Sequence, residues 1–125
     1  MSNTLQITPF MHVRDLAGAV AFLEEVLGFE TLIRMSDYAY LEREGAGLRV
    51  LEAGDSTVFP PDCGRFAYYI DVADVDLVHR TLKARLDALP EGQVHGPADK
   101  GYGQRELIVR APDNQLLVFG AAISK

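Results

Sequence analysis

Val13-Arg14-Asp15-Leu16 and, further along the chain, Val72-Ala73-Asp74-Val75 are the two stretches from which the fold is read. In each, an apolar strand end is followed by an aspartate placed as a helix N-cap, whose carboxylate is positioned to accept a backbone N–H. After Asp15 come Leu16, Val20, Leu23, Val26 and Leu27 at helical spacing, ended by Gly28. After Asp74 come Val75, Val78, Leu82 and Leu86 with the same periodicity. A shift of 59 residues lays the first motif on the second and Leu23 on Leu82. The chain therefore reads as one unit written twice.

Working outward, Leu5 to Arg14 has the texture of a strand leading into the first helix, and Phe66 to Val72 fills that place before the second. Phe29–Met35, Tyr38–Glu42 and Leu48–Glu52 are short strand-like runs separated by Ser36-Asp37 and by Gly45-Ala46-Gly47. Gln93–His95, Glu106–Val109 and Gln115–Phe119 supply the corresponding strands of the second half, with Pro112-Asp113-Asn114 as the turn before the last. The expected architecture is a single α+β domain over residues 1–125, with βαβββ modules at about 5–53 and 65–121 and an exposed linker at 54–64. Pro60-Pro61 and two glycines mark that linker.

Composition narrows the class. At 125 residues and 48% hydrophobic, the chain can bury a modest core without a disulfide or structural metal. Its single cysteine, Cys63, has no intrachain partner, which points to a reducing, cytoplasmic setting. No long apolar run or leader-like N-terminus is present, so no membrane association is expected. A net charge of -6 argues against a nucleic-acid partner. It is compatible with a cationic ligand.

The run Met11-His12-Val13-Arg14-Asp15-Leu16, followed by Ala21-Phe22-Leu23-Glu24-Glu25-Val26-Leu27-Gly28-Phe29, resembles the opening of the vicinal oxygen chelate superfamily, the glyoxalase/bleomycin resistance/dioxygenase proteins. The resemblance continues through Val72-Ala73-Asp74-Val75-Asp76 and Gly101-Tyr102-Gly103-Gln104-Arg105-Glu106 to Ala111-Pro112-Asp113-Asn114. Leu23, Ala111 and Asn114 depart from the usual residues without threatening the fold. The resemblance implies two βαβββ modules forming a U-shaped mixed sheet around a cavity, usually completed by a homodimer. In the superfamily's enzymes, His and Glu side chains hold a divalent metal there.

Those ligand positions fall here on Thr8, Ala67, Val118 and Arg49 or its neighbours Val50 and Leu51; a slip of one residue brings in only Glu52. None of the four offers an imidazole or carboxylate, so neither a metal nor another cofactor is expected. Strand alternation and the family pattern instead place Phe10, His12, Arg49, Arg65, Tyr69, Glu106 and Val118 on the inner face, with Tyr102 in a loop at its mouth. Tyr38, Tyr40 and Tyr68 read as ordinary sheet packing. His79 and His95 read as surface residues.

The expectation is a metal-free small-molecule binding protein resembling the drug-sequestering bleomycin-resistance proteins, with an antibiotic as ligand. An enzyme of the glyoxalase, dioxygenase or epimerase kind, with a relocated metal or with His12 and Glu106 as an acid/base pair, is the alternative. A regulatory module valued for its dimer interface is a third.

Overall fold

The structure, a computed structural model, describes residues 3–52 and 66–123. Arg65, Cys63 and the linker at 54–64 lie outside the described residues. The elements run β1 (Phe10–Val13), α1 (Leu16–Glu25), β2 (Glu30–Arg34), β3 (Tyr38–Arg43), β4 (Ala46–Glu52), β5 (Ala67–Asp71), α2 (Val75–Asp87), β6 (Val94–Asp99), β7 (Gln104–Arg110), a 3-10 turn (Pro112–Asn114) and β8 (Leu116–Ala122). Each half builds its own four-stranded sheet, in the orders β1-β4-β3-β2 and β5-β8-β7-β6. The first strand of each half pairs in parallel with the last, and the remaining pairs are antiparallel. The two βαβββ modules anticipated from the repeat are present with matching topology.

Alternation gives each sheet one apolar face. In the first, Met11, Val13, Ala39, Leu41, Leu48 and Val50 are buried with Leu16, Ala19, Val20 and Leu23 of α1. In the second, Leu107, Val109, Leu117 and Phe119 are buried with Val75, Val78, Leu82 and Leu86 of α2. All belong to one continuous core, and each large side chain fully buried in it contributes about 1.5–3 kcal/mol.

Polar contacts stitch the halves where the apolar faces meet. The Arg43 guanidinium lies 5.2 Å from the centre of the Phe119 ring, and its Nε donates to the Leu27 carbonyl at 3.0 Å. The Gln115 amide donates to the His12 carbonyl at 2.9 Å, and the Arg14 N–H donates to Asp113 at 2.8 Å. The Tyr68 hydroxyl donates to the Phe10 carbonyl at 3.2 Å.

Several boundaries differ from those read in the sequence. The first strand starts at Phe10, not Leu5, and Leu5 and Ile7 are 94% and 93% exposed. Pro9 has no N–H to offer a ladder; its carbonyl accepts from Arg49 N at 3.0 Å and anchors the strand's start. The β3–β4 turn is narrower than Gly45-Ala46-Gly47. Arg43 already pairs with Ala46, so the turn is Glu44-Gly45, with φ of 51° and 86°, and Gly47 belongs to β4. The expected strand at Gln93–His95 runs instead from Val94 to Asp99, with a register shift between His95 and Ala98.

The two helix starts are not chemically alike. Asp74 accepts from the Leu77 N–H at 3.1 Å, as its position predicts. Asp15 has the extended backbone of an N-cap but makes no side-chain cap bond. The Leu16 N–H donates instead to Glu52 Oε2 at 2.9 Å, a carboxylate delivered by the end of β4. Glu52→Ala is therefore expected to lower unfolding free energy by about 1 kcal/mol, and Asp15→Ala by clearly less, as read by urea denaturation.

Burial pushes the half-buried Tyr68 phenol up to about 12 from its usual value near 10. A phenol raised in this way supports the fold fully below the unfolded value, and that support disappears as pH rises through the folded value. Stability is expected to fall between pH 10 and about 12, with a shallower fall in Tyr68→Phe; an unchanged alkaline profile in that variant would sink the assignment.

Candidate functional site

Opposite the core, each sheet leaves one face open, and the strand register decides which side chains share it. On the first sheet Phe10 and His12 of β1 stand beside Arg49 and Leu51 of β4, and Arg49 and Leu51 stand beside Tyr40 and Tyr38 of β3. The Phe10 and His12 rings stack with centroids 6.0 Å apart at 24°, and Phe10 meets the Tyr38 ring at 6.4 Å. The Arg49 guanidinium donates to the Tyr38 hydroxyl at 2.5 Å and lies 5.2 Å from the Tyr40 ring centre. This is an aromatic platform with one fixed cation set over a ring.

Tyr40 donates to Glu42 at 2.7 Å, and that bond is the leading reason its phenol is held above the ordinary value. A glycine sets the ring's position. A Cβ on Gly47, in the neighbouring strand, would collide with the Tyr40 ring and hydroxyl, so only a residue without a side chain lets the ring lie where it does.

The second sheet repeats the device with different chemistry. Tyr69 lies across Gly120, where a Cβ would again meet the phenol ring. Its neighbours on that face are Val118, which pairs with it in register, and Glu106, which pairs with Gly120. Glu106 is 3% exposed and accepts from the Tyr102 hydroxyl at 2.8 Å. Tyr69 accepts from the Gln104 amide at 2.9 Å. Burial, with a further contribution from Glu106, raises the Tyr69 phenol, while the hydrogen bond to Glu106 raises that of Tyr102. Both phenols are thus held further from ionisation.

Of the residues expected to share one cavity, Phe10, His12 and Arg49 are brought together on the first sheet. Tyr69, Tyr102, Glu106 and Val118 are brought together on the second. Arg65 is outside the described residues. Tyr102 belongs to the tight β6–β7 turn, closed by Gly103 N–H to the Lys100 carbonyl at 3.0 Å. His12 and Glu106 lie on different sheets and share no hydrogen bond among the described residues. A cavity of about 440 Å³ opens between residues 6–9, the start of β4 and β5, and Tyr69 is the expected residue that lines it.

Tyr38 and Tyr40, which the sequence presents as ordinary sheet packing, supply two of the four rings of the first platform. Their spacing of two residues, matching Phe10 and His12, was the available signal. The register that sets them beside Arg49 was not readable from one chain.

The donor set does not fit the divalent ion that the resemblance implies. Thr8, Arg49, Ala67 and Val118 stand at its ligand positions, and Ala67 and Val118 carry no donor at all. Glu52, the displaced candidate, is committed to the Leu16 N–H. Among the described residues no three His, Cys, Asp or Glu side chains converge.

Comparison with known proteins agrees with this architecture. The bleomycin-binding protein of Streptomyces verticillus, solved with copper(II)-bleomycin, superimposes with a TM-score of 0.77 at 24% identity, over 98% of this chain and 100% of that one. The bleomycin resistance determinant of transposon Tn5 gives 0.79 at 24% identity, over 97% and 100%. TnmS3, an antibiotic binding protein from a Streptomyces species, gives 0.72 at 20% identity, over 98% and 99%. At these identities the likeness is one of fold. No curated protein matches the chain. The family's sequence pattern matches residues 6–119, and the chain belongs to the Glyoxalase/Bleomycin resistance protein/Dioxygenase superfamily.

Proposed function

We propose that the chain is a metal-free small-molecule binding protein of the drug-sequestering kind, working as a homodimer in the cytoplasm. The observation that carries this reading is the platform of Phe10, His12, Tyr38 and Tyr40 around Arg49. Such a surface stacks on a planar heterocycle, each ring contact adding about 1 kcal/mol beyond the area it buries. The structural neighbours that bind bleomycin or other antibiotics support the same reading.

The ligand contacts proposed are Phe10, His12 and Arg49 on one sheet, Tyr69, Tyr102, Glu106 and Val118 on the other, and Arg65, which lies outside the described residues. The homodimer supplies what one chain leaves open. Phe10, Ile33 and Tyr69 are all exposed apolar side chains on open faces, and a second copy would turn an open sheet into one wall of a groove. The lone Cys63 supports a reducing compartment.

Calorimetric titration with metal-free bleomycin and with copper(II)-bleomycin tests the reading. Saturable uptake by a dimer is expected, weakened roughly tenfold in Phe10→Ala, the size of one lost stacking anchor. Absence of uptake removes the drug assignment while leaving the fold. Stoichiometric retention of nickel, manganese, iron or zinc through gel filtration would overturn the metal-free reading and bring the enzyme to the front.

A further inference from the structure

Among the described residues, Glu106 is the one buried carboxylate, and no basic side chain there forms an ion pair with it. The adjacent Arg105 is turned to the other side of β7, where Asp76 and Asp99 hold it at 3.0 Å each. The described residues that meet Glu106 are neutral. The Tyr102 hydroxyl donates to it, Tyr69 interacts with it, and Gln104 is occupied with the Tyr69 hydroxyl. Gly120, its partner in β8, contributes no side chain, which is what allows the Tyr69 ring to lie alongside.

Among the described residues only neutral donors meet this carboxylate, and none of them brings the positive charge that would offset its burial. The walls favour the same sign, because the exposed faces of phenol rings attract cations. Tyr69 and Tyr102 are 43% and 71% exposed, so both rings are within reach of an arriving group. A metal ion is the wrong occupant, since one carboxylate with phenols and an amide falls short of the ligand count a divalent ion needs. A hydrogen-bonding organic cation needs one carboxylate and a ring face.

We infer that Glu106, between Tyr69 and Tyr102, receives an ammonium or guanidinium group of the bound ligand, with the Tyr102 side chain as a latch that leaves the carboxylate as the cation arrives. The inference rests on the small-molecule binding reading and adds the charge of the ligand to it. Tyr102 is suited to the latch because it projects from the turn between β6 and β7 and is held at its hydroxyl by Glu106. The arrangement also divides the labour between the sheets: the aromatic body meets the Arg49 platform, and the cation meets Glu106, away from that guanidinium.

The test uses the full chain and two fluorescent probes, dansylcadaverine, which carries a primary ammonium tail, and its N-acetylated, neutral form. The intact protein is expected to bind the ammonium probe about tenfold more tightly, the scale of one charge-assisted hydrogen bond. Glu106→Gln should abolish that preference, whereas Asp87→Asn, the same charge change on the outer face of α2, should keep it. Tyr102→Phe, which frees the carboxylate of its competitor, should sharpen the preference by roughly two- to tenfold, so the inference stays testable even if Glu106→Gln folds poorly.

Equal affinity for the two probes, or an undiminished preference in Glu106→Gln, overturns the subsite. Failure to bind either probe also overturns it, and the binding reading falls with it only if bleomycin is not taken up either.

Discussion

The structure depends on a single apolar core to which both modules contribute. Each sheet has four strands and packs its buried face on the helix of its own half, and the buried residues of both halves join in one cluster. Phe119 at the back of the second sheet is covered by Arg43 of the first, whose guanidinium stays hydrogen-bonded to the Leu27 carbonyl while its flat face meets the ring. Arginine suits this place because its charge is delocalised over a plane that packs against an aromatic while the edge still donates. With one face of each sheet committed to the core, alternation leaves the opposite faces open.

Those open faces share a construction principle. On each, a tyrosine ring lies across a glycine of the adjacent strand, Tyr40 across Gly47 and Tyr69 across Gly120. Glycine inside a strand costs backbone entropy and packs poorly. Here the cost is offset by the aromatic surface laid over it, which gives a flat floor where ordinary side chains would give a ridged one.

Much of the fold was legible because its signals are local. The aspartate-then-stripe motif at Asp15 and Asp74 places both helix starts, at Leu16 and Val75, and the 59-residue shift carries one onto the other. What was not legible depends on distant chain. That Glu52, and not Asp15, meets the first helix depends on where β4 ends. The first strand looks longer in sequence than in structure because Leu5 and Ile7 carry apolar side chains but have no core to enter. Alternation places Glu106 on an open face and the loop of Tyr102 at its mouth, but the hydrogen bond that joins the two side chains is not readable from one chain.

The chemical difference between the two faces follows from that arrangement. If both carried the same chemistry, two copies of the chain would offer a ligand matching walls. Instead the first face presents a guanidinium among rings, already engaged with Tyr38 and Tyr40, and the second presents a buried carboxylate among phenols. A fixed cation stacked on an aromatic ring is a weak competitor for an incoming anion, because its strongest directions are in use. A carboxylate held only by neutral phenols keeps most of its attraction for a cation. The two open faces, built on the same strand order, thus carry opposite charges among their rings.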